Sequence, residues 1–190
     1  MTGKKKNTAV FISGRGSNLK SLIKYSKSKN SKININLIIT DNAKAKGIKY
    51  AKDFKIQYYK FNYKNKNITE KKILSKLKIF KIDLVCLAGF MKILSKEFII
   101  KFKRKILKIH PSLLPKYKGL NTHRRVIENN EKYSGSTVHI VTSKLDSGKI
   151  IYQKKIKVYK KDNTKSLEKR ILKIEHKIYP KAIKKFLFNL

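Results

Sequence analysis

Cysteine is almost absent from this 190-residue chain, tryptophan is missing, and proline and glycine number only three and eight. Each shortage excludes something. The one cysteine, Cys86, lies in the apolar run IDLVCLAGF, so there is no disulfide framework and no CxxC metal motif. A reducing, cytoplasmic compartment is expected. No Pro/Gly-rich boundary, repeat or low-complexity tract divides the sequence, and a single domain over residues 1–190 follows as the economical reading. A chain of this length buries about 70% of its unfolded surface, which makes accessory staples unnecessary. No apolar run approaches the ~20 residues of a membrane span. The basic start MTGKKKNTAVFISG leads into an apolar run too short for a signal peptide, and no membrane association is expected.

Acidic residues are the remaining scarcity. Eleven Asp and Glu face 49 Lys and Arg, a formal net charge of +38. Such a balance suits a nucleic-acid binder, but the lysines are spread along the whole chain with abundant Ile and Asn. No arginine-rich tract, paired-aromatic motif or zinc knuckle accompanies them. The excess reads as a solvated surface pushed toward lysine by compositional bias, with no specific nucleic acid as partner. Its field still attracts anionic ligands.

What is present is a rhythm. Apolar, β-rich runs at 8–13, 33–40, 56–61, 82–89 and 105–110 alternate with helix-like stretches near 17–29, 43–53, 68–80 and 95–103. This alternation predicts an α/β, Rossmann-like fold, a mostly parallel sheet flanked by helices. After residue 120 come a short helix and two strands, SGSTVHIVTS and KIIYQKKIKVY, close enough to pair as a hairpin. From Thr164 the spacing of Leu167, Ile171, Ile174 and Ile178 predicts a long C-terminal helix with one apolar face.

Open α/β sheets bind ligands at the carboxyl ends of their strands. Three motifs fall there. SGRGSN (13–18) joins the first strand to the first helix, where glycine-rich backbone and a helix N-terminus suit a phosphate monoester. It is neither a GxGxxG fingerprint nor a GxxxxGK[ST] loop. LAGFMKIL (87–94) ends the fourth strand and offers either apolar surface to a flat ring or simple core packing. His110 closes the fifth strand and is followed at once by Pro111, while STVHIVTSKLDSG supplies His139 and Asp146 downstream. A histidine beside a carboxylate is a general acid–base pair. No nucleophile-elbow sequence and no metal-ligand spacing such as HExxH is present, so proton transfer without a covalent intermediate or a metal is expected. A lone histidine is more often structural than catalytic, and His123 and His139 are read that way.

The segments ISGRGSN, LAGFMKILS, KIHPSLLPKYKGLNTHRRVIENN, STVHIVTSKLDSGKII and IEHKIYP, in this order, closely resemble the phosphoribosylglycinamide formyltransferases, folate-dependent enzymes of purine biosynthesis. The similarity runs from about Thr8 to about Leu187. Formyltransferases acting on methionyl-tRNA and formyltetrahydrofolate hydrolases share the sheet and a His–Asp pair, but usually differ in the HPSLLPKYKGLNTH loop and carry further domains. The resemblance implies the formyltransferase fold and transfer of a formyl group from 10-formyltetrahydrofolate to the amine of 5-phosphoribosylglycinamide, by a monomer or homodimer. It places Gly16, Ser17 and Asn18 at the substrate phosphate and Glu175 near the glycinamide amine. It places Met91, Lys92, Ile93 and Leu94 at the pterin, with Lys66 at the folate tail. It makes His110 the catalytic histidine and Asp146 the aspartate that raises its pKa. One position departs. Lys108 stands where the family usually has an asparagine that hydrogen-bonds the formyl oxygen, and lysine offers three donors, no acceptor and a longer stem. Two readings remain open from sequence: the ammonium serves as the electrophile, or it impairs the chain. A basic nucleic-acid-binding protein on the same scaffold is the alternative from another class.

Overall fold

In the computed structural model, which describes residues 4–188, the chain separates into two compact units, residues 1–107 and 108–190. The first contains β1 (Lys6–Ile12), α1 (Ser17–Ser26), β2 (Ile33–Thr40), α2 (Ile48–Asp53), β3 (Tyr58–Lys60), α3 (Lys66–Ile79), β4 (Leu84–Leu87) and α4 (Lys96–Phe102). Its strands run in the order β3-β2-β1-β4, each neighbouring pair parallel. The second holds α5 (Thr122–Glu128), β6 (Tyr133–Ile140), β7 (Ile150–Lys157) and α6 (Thr164–Phe188); the division falls within β5 (Lys105–His110). β6 and β7 pair antiparallel, as the expected hairpin.

β1 and β4 form the centre of the first unit because both of their faces are apolar. Ala9 through Ile12 and Leu84 through Leu87 are buried without interruption, the continuous pattern of a parallel strand covered on both sides. Leu19, Leu22 and Ile23 of α1 and Ile73 and Leu77 of α3 supply helical stripes to that unit's core. α4 starts at Ser95, whose Oγ accepts from the Phe98 N–H, and the buried Glu70 accepts in turn from both the Ser95 N–H and its hydroxyl. Because the strand order reverses direction between β1 and β4, the loops leaving the carboxyl ends of these two strands flank the unit's topological switch point.

In the second unit α6 buries Leu167, Ile171, Ile178, Ala182 and Ile183, and Leu167 and Ile171 pack with Val126 of α5. The expected apolar face is off by one residue in its middle. Ile174 is half-buried, and Glu175, four residues after Ile171, takes the buried slot with 6% of its surface exposed. β7 is mostly exposed and carries Lys154, Lys155 and Lys157, a charged row that discourages edge-to-edge pairing with another chain.

Gly135 of β6 is required by close approach. A Cβ there would stand 2.2 Å from the Lys154 carbonyl oxygen and 2.5 Å from Leu113 Cδ2. Leu113 can turn away, but the backbone of β7 cannot. Gly135→Ala is therefore expected to destabilise the protein by about 1–3 kcal/mol, the usual range for overpacking. That corresponds to a fall of several degrees in Tm for a chain of this size, about 2–4 °C per kcal/mol. A thermal melt showing no change would mean that the β6–β7 backbone is looser than described.

Candidate functional site

In the first unit the switch-point loops are tied together by one residue. The Ser13 N–H donates to the Gly89 carbonyl at 3.1 Å, and the Ser13 hydroxyl oxygen accepts from the Met91 N–H at 2.8 Å while donating to Asp41 Oδ1. Asn42 Nδ2 holds the Ser13 carbonyl at 3.0 Å. Beyond Ser13 the chain reaches Gly16 at φ 71°, the cap of α1. A Cβ at Gly16 would lie 2.6 Å from Gly47 Cα, so both the left-handed backbone and the close approach require glycine. α1 has no side-chain cap and no acidic residue in its first turn, and Ser17 and Asn18 open it. That leaves the positive end of the helix dipole beside the glycine turn without an acidic residue in its first turn.

The second loop turns at Gly89, φ 76°. Met91 and Ile93 are 64% and 60% exposed, unusual for residues of their size, and Lys92 reaches to 4.0 Å from Asp41 Oδ2. Leu94 differs from its three neighbours: its side chain is buried, so only its main chain is available to a ligand. Lys66 stands exposed in the first turn of α3, where a cation opposes the helix dipole.

In the second unit four groups converge on one carboxylate. Lys108 and His110 are two apart on β5 and share one face of the strand. Asp146 sits in the β6–β7 connection with φ 44° and only 4% of its surface exposed. Its Oδ1 accepts from Lys108 Nζ at 2.7 Å, and its Oδ2 accepts from the Gly119 N–H at 2.9 Å. His110 Nδ1 lies 3.4 Å from Oδ2, and His139 Nε2 lies 3.6 Å from Oδ1. His139 donates from Nδ1 to the Ile140 carbonyl at 2.9 Å, which leaves its buried Nε2 without a hydrogen bond. On its other edge His110 donates from Nε2 to the Tyr117 carbonyl at 2.9 Å. Ser136 Oγ donates to the His110 carbonyl at 2.9 Å, and Glu175 Oε1 lies 3.5 Å from the same hydroxyl. Among the described residues no group of His, Cys, Asp and Glu has a metal-holding arrangement.

The electrostatics differ from the sequence expectation in one respect. Asp146 does pull the His110 pKa upward, as does the Tyr117 carbonyl, but burial outweighs both, and Lys108 and His139 add to the downward push. His110 is therefore held below its ordinary value, and its neutral form predominates at pH 7. Burial also acts on Asp146, penalising its charge, but His139, Lys108 and the Gly119 N–H overcome this and hold the carboxyl well below the usual range.

Tyr117, Gly119 and the Ser13–Asp41 pair are not legible in the sequence. The first two act through backbone atoms, which leave no signature in residue type. Ser13 lies inside SGRGSN, and its place at the end of β1 is the one available signal.

Asp146→Asn removes the partner of a mostly buried ammonium. Breaking a fully buried pair costs about 3–5 kcal/mol; with 24% of the Lys108 side chain exposed, about 2 kcal/mol or more is expected near neutral pH. Because the folded carboxyl titrates below its unfolded value, this contribution is complete above about pH 4 and declines as pH falls toward the folded pKa. Denaturant titrations of the native chain and Asp146→Asn should therefore diverge most near neutrality and converge in acid. A gap that widens in acid would contradict the assignment.

A family model described as formyl transferase matches residues 6–183, spanning both units. Trifunctional purine biosynthetic protein adenosine-3 of Homo sapiens is 42% identical over 95% of this chain, which spans only 18% of the length of that relative. Phosphoribosylglycinamide formyltransferase of Haemophilus influenzae is 40% identical over 95% of this chain and 87% of its own. The crystal structure of phosphoribosylglycinamide formyltransferase from Brucella melitensis superposes with a TM-score of 0.91 at 39% identity, covering 96% of each chain. With the His110–Asp146 pair, the glycine turn into α1 and full-length similarity to stand-alone relatives, the chain belongs to the phosphoribosylglycinamide formyltransferase family.

Proposed function

We propose that this chain, acting as one formyltransferase domain, moves the formyl group of 10-formyltetrahydrofolate to the amine of 5-phosphoribosylglycinamide, a step of purine (IMP) biosynthesis in the cytoplasm. The observation that carries the reading is the cluster around Asp146: a neutral imidazole and an ammonium on one buried carboxylate, within a chain 40% identical to a stand-alone relative. We assign the substrate phosphate to the turn and helix start at Gly16, Ser17 and Asn18, and the glycinamide amine to the vicinity of Glu175. The pterin is assigned to Met91, Lys92, Ile93 and the main chain of Leu94, since exposed apolar side chains beside a glycine turn suit a flat ring. Lys66 is the candidate cation for the folate tail.

The chemistry follows from protonation states. The amine nitrogen attacks the formyl carbon, the C–N bond forms and the carbonyl electron pair moves to oxygen. Lys108 gives one N–H to Asp146, and its remaining donors suit the developing oxyanion. His110, neutral and with its proton on Nε2, accepts a proton at Nδ1, where Asp146 stabilises the resulting imidazolium. The oxyanion pair then re-forms the carbonyl, the bond from the formyl carbon to the folate nitrogen breaks with its electrons going to nitrogen, and that nitrogen takes the proton from His110.

Formyl transfer followed by absorbance tests this directly. The native chain is expected to turn over. His110→Ala should lose about 100- to 10,000-fold in kcat, and Lys108→Met about 100- to 1,000-fold through loss of the oxyanion donors. Inactivity of the native chain with both substrates would remove the reading. A Lys108→Met variant faster than the native chain would instead identify the lysine as an impediment.

A further inference from the structure

Tyr117 is a bulky residue at φ 56°, in the left-handed region that such side chains seldom enter. Its surroundings hold it there. The ring lies under the Arg125 guanidinium, 5.1 Å from centroid to Cζ; the hydroxyl donates to Glu131 Oε1 at 2.9 Å and accepts from Asn129 Nδ2 at 3.0 Å. Glu131 is itself held by Lys116 at 2.8 Å, and Arg125 also grips the Lys118 carbonyl at 2.8 Å. All this anchoring fixes one backbone group, the Tyr117 carbonyl, at 2.9 Å from His110 Nε2. Strain retained beside a working group is evidence of a positional constraint.

A carbonyl can only accept, so this contact requires the ring proton on Nε2. In the neutral imidazole the lone pair then lies on Nδ1, the atom that faces Asp146. The opposite tautomer would point an unprotonated Nε2 at the carbonyl. Asp146 Oδ2, 3.4 Å from Nδ1, is itself an acceptor and favours the opposite tautomer, so the closer carbonyl contact at 2.9 Å is what holds the proton on Nε2. The remaining groups around the ring do not make this choice. Lys108 from β5 and His139 from β6 address Asp146, the Gly119 N–H does the same, and Ser136, with Glu175 of α6 behind it, addresses the His110 backbone carbonyl. We propose that Tyr117 is a positioning residue for His110: its left-handed backbone, anchored through its ring, aims the carbonyl that keeps the basic lone pair on Nδ1. Only the catalytic consequence rests on the assignment of His110 as proton carrier; the tautomer is a property of the ligand-free protein.

The test compares Tyr117→Ala with Tyr117→Gly. Both lose the ring and its anchors, but alanine disfavours the left-handed conformation roughly tenfold or more whereas glycine adopts it freely. Imidazole ¹⁵N shifts are read above the histidine titration range on the unliganded protein, with the His139 signals as the control for an intact fold. The native chain is expected to show His110 protonated at Nε2. Tyr117→Ala should lower that preference roughly tenfold, with kcat falling about tenfold or more and KM little changed, while Tyr117→Gly should keep the Nε2–H form. Retention of the native signature in Tyr117→Ala would overturn the proposal, as would equal loss in the alanine and glycine variants. Failure of formyl transfer in the native chain, with the tautomer pattern as expected, would count against the proposed reaction alone.

Discussion

Around the buried carboxylate of Asp146, charge balance decides the rest of the site. An isolated carboxylate with 4% exposure would be costly to ionise, and an ammonium at 2.7 Å and a backbone N–H at 2.9 Å offset that cost, with His110 and His139 beside them. Lys108 supplies a full positive charge, so the pair is close to neutral before either histidine takes up a proton. An asparagine at that position would supply a dipole and no charge, and the imidazole would be the nearest group able to balance Asp146. The lysine thus changes more than the contact to a formyl oxygen. Burial does most to lower the His110 pKa, and the Lys108 charge adds to that push toward a group inclined to accept a proton.

Backbone geometry supplies what the side chains cannot. The segment from Lys116 to Gly119 presents an acceptor to His110 and a donor to Asp146, through left-handed residues at Tyr117 and Gly119. In the first unit Ser13 plays a comparable part, meeting both the Gly89 carbonyl and the Met91 N–H, so the loop assigned to phosphate and the loop assigned to the pterin share one anchor. Both arrangements lie at strand ends, where an open sheet leaves main-chain groups for ligands and loops to use.

Much of this was legible in the sequence, for identifiable reasons. Continuous apolar runs marked β1, β2 and β4 because parallel strands are covered on both faces, and 3.6-residue spacing marked α6. The helix expected from residue 43 begins only at Ile48, because Gly47 is committed to packing against the glycine turn: its N–H donates to the Gly14 carbonyl at 2.9 Å, and its Cα approaches Gly16. The resemblance alone singles out Glu175, and Ile174 beside it hides its burial in the α6 stripe. The pairing of His110 with Asp146 was legible, and the pKa direction was not, since a neighbour's charge can be guessed from sequence whereas the depth of burial is a property of the fold.

The most direct test of the account is the pH dependence of kcat/KM for formyl transfer in the native chain and in Lys108→Asn. If His110 works as a base held down by burial and by the Lys108 charge, the native acidic limb lies below the ordinary histidine value of about 6.5, and removing the charge moves it to higher pH. A native limb well above that value, or one that stays in place when the lysine is replaced, would contradict the claim that burial, with the Lys108 charge added to it, holds His110 in its neutral form.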